Sequence, residues 1–90
     1  MRRTVKRVID GDTIQVSRKI GDTNIVRLAG VNAPEKGTPS GRRATNVLRG
    51  AIGGQTVTVK PVARDVYGRV VGNIIYDRRN INRRMRDKEY

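Results

Sequence analysis

Apolar and polar positions alternate through most of this chain, and the alternating stretches are short. They cover Thr4–Ile9, Thr13–Ser17, Asn24–Ala29, Gln55–Val62 and Arg69–Tyr76, and this pattern predicts five strands. Asp10-Gly11, Gly21-Asp22, Gly53-Gly54 and Tyr67-Gly68 separate them with turn chemistry. The first two gaps are short enough for antiparallel hairpins. Between the third and fourth strands the period changes. Ala44, Val47, Leu48, Ala51 and Ile52 recur at i, i+3, i+4, i+7 and i+8, the single apolar stripe of a helix over Ser40–Ile52. Ser40 can cap its start and Gly53-Gly54 can end it. Asn80 can cap a second, arginine-rich helix over Ile81–Lys88.

Five short strands with a helix between the third and fourth is the element order of an OB-type barrel. The expected fold is therefore α+β and mainly β: a five-stranded antiparallel barrel with a short C-terminal helix. At 90 residues the chain is read as one domain, 1–90. Its aliphatic residues are 12 Val, 8 Ile and 2 Leu, nearly all β-branched, which favours strands. With no Phe and no Trp, these aliphatics, alanine and a tyrosine must fill the core.

The absence of cysteine and histidine excludes much chemistry. No disulfide, thiolate metal site, histidine base or Ser-His-Asp triad can form. Catalysis must then run on carboxylates, guanidiniums, amides, hydroxyls or a hard metal ion. The net charge is +12, and Arg supplies 15 of the 20 basic residues. A guanidinium grips phosphate through two parallel hydrogen bonds, so a nucleic-acid partner is favoured over an anionic membrane. No basic amphipathic helix of useful length and no apolar run of membrane-spanning length is present. As it stands the sequence reads as cytoplasmic, or as secreted if a leader has been removed.

Three polar clusters fall at strand ends. Asp10-Gly11-Asp12-Thr13 sets two carboxylates on a tight turn, a ligand set suited to a hard cation. Arg27 lies in an apolar strand five residues before Asn32, with Glu35 following on a loop stiffened by Pro34. Asp65-Val66-Tyr67-Gly68-Arg69 precedes the last strand. Taken singly, each cluster reads as a turn with solvated charges. Together they supply what phosphodiester hydrolysis needs: a metal ligand in Asp12, a water-activating carboxylate in Glu35, and a phosphate clamp in Arg27 and Arg69.

Val8-Ile9-Asp10-Gly11-Asp12-Thr13, Arg27-Leu28 through Pro34-Glu35, and Tyr67-Gly68-Arg69 resemble the three signatures of staphylococcal nuclease homologues, in order. Asn80-Ile81-Asn82 resembles the start of that family's next helix, and the resemblance covers about residues 4–85. It implies a calcium-dependent endonuclease that degrades DNA and RNA and leaves 3′-phosphate ends. By the same resemblance Asp12 is a calcium ligand, with Asp10 as acidic support behind it and the main chain of Ala33 contributing a carbonyl. Arg27 and Arg69 correspond to the transition-state arginines and Glu35 to the general base. Tyr67 corresponds to an aromatic of the nucleotide pocket, and Thr13 and Lys36 are expected beside the nucleic acid.

Two positions depart from the family pattern. Asn32 stands where the best-known members carry a second calcium-binding aspartate, so weaker calcium binding is expected. Those members also continue through a further helix, which predicts uncovered barrel surface, low stability or self-association. The leading reading is a nuclease acting on DNA or RNA, preferably single-stranded. The alternative is an OB-type module that binds nucleic acid and cuts poorly or not at all, although three tyrosines offer little stacking surface. A basic ribosome-associated barrel would explain the charge but leave the carboxylates without a role.

Overall fold

The computed structural model describes all 90 residues. In chain order the elements are β1 (Arg2–Asp10), β2 (Thr13–Ile20), β3 (Thr23–Leu28), α1 (Pro39–Ile52), β4 (Thr56–Arg64), β5 (Val70–Tyr76), β6 (Arg79–Asn80) and α2 (Ile81–Asp87). The expected mainly-β barrel with one helix between strands three and four is the fold observed. The strands run in the order β3-β2-β1-β4-β5-β6, and a β3–β5 pairing closes the barrel. That closure is parallel, with Val26 opposite Val70 and Arg27 opposite Val71. The other strand pairs are antiparallel. Five strands that alternate in direction leave both ends pointing the same way, so the closing pair must run parallel.

Inward positions carry the core. Val5, Ile14, Val16, Val26, Leu28, Val57, Val59 and Ile74 are each at most 1% exposed, with Leu48 and Ile52 of α1 and Met85 of α2 packed among them. No core member exceeds 8% exposure. The barrel interior is therefore covered by the two helices, and the exposed large apolar side chains are Met1, Val62, Val66 and Tyr67. Three of those four flank the β4–β5 turn. Neither helix is long and apolar enough to cross a membrane.

The first helix starts earlier than its apolar stripe implies. Thr38, not Ser40, is the N-cap, and its Oγ1 accepts the Gly41 N–H at 3.0 Å. Pro39 occupies the first turn, where its fixed φ suits the helix and its missing N–H is not needed. At the other end Gly53 caps the helix and Gly54 takes a φ of +74°. Ala44, Leu48 and Ile52 are buried, while Val47 and Ala51 pack at the edge of the core.

Asn80 caps α2 as expected, its side chain accepting the Arg83 N–H at 3.0 Å. Two residues on, Asn82 is fully buried. Its Oδ1 accepts from the Ile74 N–H at 2.9 Å, and its Nδ2 donates to the carbonyls of Ala29 (2.9 Å) and Gly72 (3.0 Å). One amide thus ties α2 to β5 and to the loop after β3, meeting its hydrogen-bonding needs where an unpaired polar group would be costly.

Candidate active site

The β1–β2 turn is built to hold two carboxylates close together. Asp10 Oδ1 accepts the Asp12 N–H at 3.0 Å, an Asx turn that fixes the backbone between them. The residue in between is glycine for want of space. A Cβ on Gly11 would lie 2.5 Å from Ala44 Cβ and 2.7 Å from Ala33 Cβ, so the turn touches both α1 and the loop after β3.

Pairing of β2 with β3 brings the arginine to this turn. Thr13 stands opposite Arg27, and the Leu28 N–H donates to the Asp12 carbonyl at 2.8 Å. Arg27 Nη2 lies 3.6 Å from Asp12 Oδ2 and donates to Asn32 Oδ1 at 2.9 Å. The Asp12 carboxylate also accepts the Thr13 hydroxyl at 2.8 Å and the Ala33 N–H at 3.1 Å. Asp10, Asp12, Thr13, Arg27, Asn32 and Ala33 therefore form one hydrogen-bonded group. Thr13, expected beside the nucleic acid, is instead 4% exposed, with its hydroxyl turned onto Asp12. The main chain of Ala33 meets that carboxylate through its N–H, leaving its carbonyl for another partner.

The two carboxylates are shifted in opposite directions. Burial, then the neighbouring Asp12, pushes the Asp10 carboxyl above the usual range. Burial opposes ionisation of Asp12 as well. Hydrogen bonds from Asp10, Thr13 and the Ala33 N–H, together with the Arg27 charge, outweigh it and hold Asp12 below that range.

Arg69 and Tyr67 belong to a second assembly on the neighbouring strand. Asp65 Oδ1 accepts the N–H groups of Tyr67 and Arg69, each at 3.0 Å, while its Oδ2 takes Arg69 Nε at 2.6 Å. The Arg69 guanidinium stands 5.2 Å from the centre of the Tyr67 ring, within cation–π reach. Burial works against the Asp65 charge, but these bonds, the guanidinium's first, keep its carboxyl low. Because β3 and β5 pair with Arg27 opposite Val71, Arg69 lies at the entry to β5, two residues before the position opposite Arg27. Arg27 and Arg69 are both half-buried.

Glu35 and Lys36 lie on the loop that enters α1. The Glu35 carbonyl accepts both the Thr38 hydroxyl (2.7 Å) and the Thr38 N–H (3.1 Å). Its main chain is thereby fixed at the helix start while its side chain is exposed. Lys36 is exposed too and lines a shallow groove with Arg42 and Arg49 of α1. Asp65 is the site residue that strand and turn patterning passed over. Its signal was its place four residues before Arg69, where a carboxylate can close a turn onto a guanidinium.

The donor set suits a hard cation. It offers carboxylate and amide oxygens only, and the close pair Asp10–Asp12 carries a repulsion that a bound cation would relieve. No cluster of three or more acidic side chains gathers anywhere in the chain, so the set is short of charge.

Residues 25–88 match the family described as staphylococcal nuclease homologue. The chain is also 43% identical over 84 residues to an uncharacterized endonuclease of Escherichia coli, covering 90% of this chain and 53% of that protein. A micrococcal nuclease of Shigella flexneri is 41% identical over 75 residues, 83% of this chain and 42% of its own length. An uncharacterized endonuclease of Haemophilus influenzae is 31% identical over 81 residues, 90% of this chain and 46% of its own. The chain spans about half the length of the curated relatives it matches.

Proposed function

The chain belongs to the staphylococcal nuclease homologues, and on that premise we propose that it is a calcium-dependent endonuclease hydrolysing phosphodiester bonds of DNA and RNA. The observation that carries this reading is the position of Arg27. It is held on β3 by Asn32 and Asp12, while Asp65 fixes Arg69 in the turn that enters β5. Two guanidiniums, each oriented by hydrogen bonds, at β3 and at the entry to its partner strand β5, suit the oxygens of a phosphoryl group.

In this reading Asp12, Asn32 and the Ala33 carbonyl would hold a calcium ion, with Asp10 supporting Asp12. When bound, calcium would supply positive charge next to the phosphate. The remaining chemistry belongs to the chain. Glu35 takes the proton of the attacking water, and the new bond forms between that water oxygen and phosphorus. The bond to the 5′ oxygen breaks, and that oxygen takes a proton from solvent water to leave as a 5′-hydroxyl, with phosphate remaining on the 3′ side. Arg27 and Arg69 donate to the phosphoryl oxygens as their charge grows, and this differential contact is what accelerates the step. Tyr67, 80% exposed, stacks on a base.

Single strands are the preferred substrate, since an open basic face grips backbone and lets bases reach the aromatic ring. Self-association would use the apolar surface of Val62, Val66 and Tyr67. Incubation of single-stranded DNA in calcium, in magnesium and in EDTA, with analysis of the new ends, tests the reading. Cleavage in calcium alone with 3′-phosphate ends is expected. Intact DNA in all three would favour the binding-module alternative, for which Asn32 in place of a charged ligand is the one specific argument.

A further inference from the structure

A second basic surface, sharing no residue with the phosphodiester site, lies at the β5–β6 turn and along α2. Arg78 and Arg79 at the β5–β6 turn face Arg83, Arg84 and Lys88 of α2 across a groove of about 660 Å³. Asn80 and Asp87 complete the lining, so five cations meet one carboxylate and no apolar side chain. Four arginines without a protein partner gather in this one groove. Arg3, Arg27, Arg43, Arg49, Arg64, Arg69 and Arg86 each donate to a protein oxygen. The side chains of Arg78, Arg79, Arg83 and Arg84 are engaged in no hydrogen bond or ion pair. Like charges crowded without partners destabilise a fold, and only an external anion offsets that.

The backbone gives an independent indication. Asp77 and Arg78 have φ of +52° and +63°, consecutive left-handed residues in the two-residue turn between β5 and β6. Such a turn favours glycine in its second central position. Here an arginine stands in that position despite its conformational cost, with its charge in the groove. Backbone strain that persists at one position, joined to an unpartnered charge cluster, is a reason to look for function.

The groove also connects to the site. From Asn80, α2 runs to a C-terminal end whose Tyr90 carbonyl accepts the Asn32 N–H at 3.1 Å, and Arg86 donates to the Ala29 carbonyl at 3.3 Å. Arg79, Arg83 and Asp87, with Asn80, Arg84 and Lys88, recur every fourth residue on the groove-facing side. At a rise of about 1.5 Å per residue, the seven residues of α2 span about 10 Å between the β6 end of the groove and the turn that meets Asn32.

We propose that the Arg78–Arg79–Arg83–Arg84–Lys88 groove is a second nucleic-acid-binding site, gripping the sugar–phosphate backbone of the strand whose scissile phosphate lies at Arg27 and Arg69. This rests on the nuclease reading for the first site only. The groove binds backbone whether or not the chain cuts. An anionic bilayer is the lesser fit, because the lining offers no apolar side chain to anchor in lipid.

The test is binding in EDTA, where cleavage and affinity are separated. Anisotropy with labelled single-stranded DNA of about 4 and about 20 nucleotides is measured for wild type, Arg83→Gln/Arg84→Gln and Arg78→Gly. On the long strand the double variant is expected to reduce the log–log salt slope by about 1.4, at about 0.7 for each lost phosphate contact. On the short strand it binds as wild type does. Arg78→Gly relieves the left-handed residue, so its Tm is expected to rise by a few degrees while its long-strand affinity falls. That opposite movement cannot come from unfolding. Equal salt slopes for wild type and both variants on the long strand would overturn the proposal. So would preferential binding of these variants' lost charges to phosphatidylserine vesicles, seen as loss of vesicle binding with DNA binding intact. Failure of the nuclease reading would appear separately, as intact DNA in calcium with the length dependence unchanged.

Discussion

Arg27 Nη2 donates to Asn32 Oδ1 at 2.9 Å, so the one uncharged side chain of the candidate metal site also orients the strand β3 arginine. An aspartate at this position would keep the acceptor and add a charge. Affinity for calcium rises with ligand charge. Asn32→Asp is therefore expected to bind calcium more tightly, by isothermal calorimetry, while its fold is unchanged. Equal or weaker affinity would remove Asn32 from the ligand set.

Arg69 acts through a position that Asp65 maintains with three hydrogen bonds. Arg69→Ala is expected to lower the cleavage rate on the order of 100- to 1,000-fold, by analogy with loss of one oxyanion donor. Asp65→Asn keeps the turn and weakens only the pairing, so a smaller fall, about 10-fold, is expected with substrate binding nearly unchanged. A larger loss of binding than of turnover in either variant would make Arg69 a ground-state contact.

The paired carboxylates set the pH response of the metal-free protein. A raised folded-state value means that Asp10 favours the fold while protonated, below the ordinary aspartate range, and loses that contribution as pH rises through its folded value. Asp12 is the reverse. Its contribution is present above the ordinary range and is lost as pH falls through its lowered folded value. In EDTA at neutral pH, Asp10→Asn should then raise Tm slightly, because it removes a charge the fold resists. The gain should vanish in acid, where wild-type Asp10 is already neutral. A thermal scan series across pH checks both halves.

Gly11 tests the packing beneath the site. A methyl group there meets Ala44 and Ala33 at distances that force a shift. Gly11→Ala is expected to cost about 1–3 kcal/mol, the usual range for overpacking. For a domain of this size that lowers Tm by about 4–8 °C per kcal/mol. Calorimetry with an unchanged Tm would mean that the turn and α1 have freedom to separate.

Much of this was legible in the chain because it depends on local pattern. Alternation located β1 to β5 within a few residues, and the Ala44–Ile52 stripe located α1. Thr38 was missed as its cap although Pro39 marked the first turn; the apolar stripe alone begins later. The β5–β6 turn was missed because Asp77-Arg78 lacks the glycine that turns of this type usually show. Asn82 gave no signal, since its three partners lie 8, 10 and 53 residues away. The parallel closure of β3 on β5 likewise joins residues 44 apart in the chain and follows only from counting strand directions. At the site, the identities of Asp12, Arg27, Asn32 and Arg69 came from motif, whereas their support by Thr13, Asp65 and the Ala33 N–H is a property of folded geometry.

The central claim is that this chain cuts nucleic acid with Glu35 as its proton acceptor. One preparation each of wild type and Glu35→Gln, assayed on the same single-stranded DNA in calcium for both affinity and single-turnover rate, tests it most directly. Wild type is expected to cut. Glu35→Gln is expected to bind as well or slightly better, having lost a repulsive charge, while its rate falls about 100-fold or more. Wild-type protein that binds the strand tightly in calcium yet leaves it intact would contradict the account.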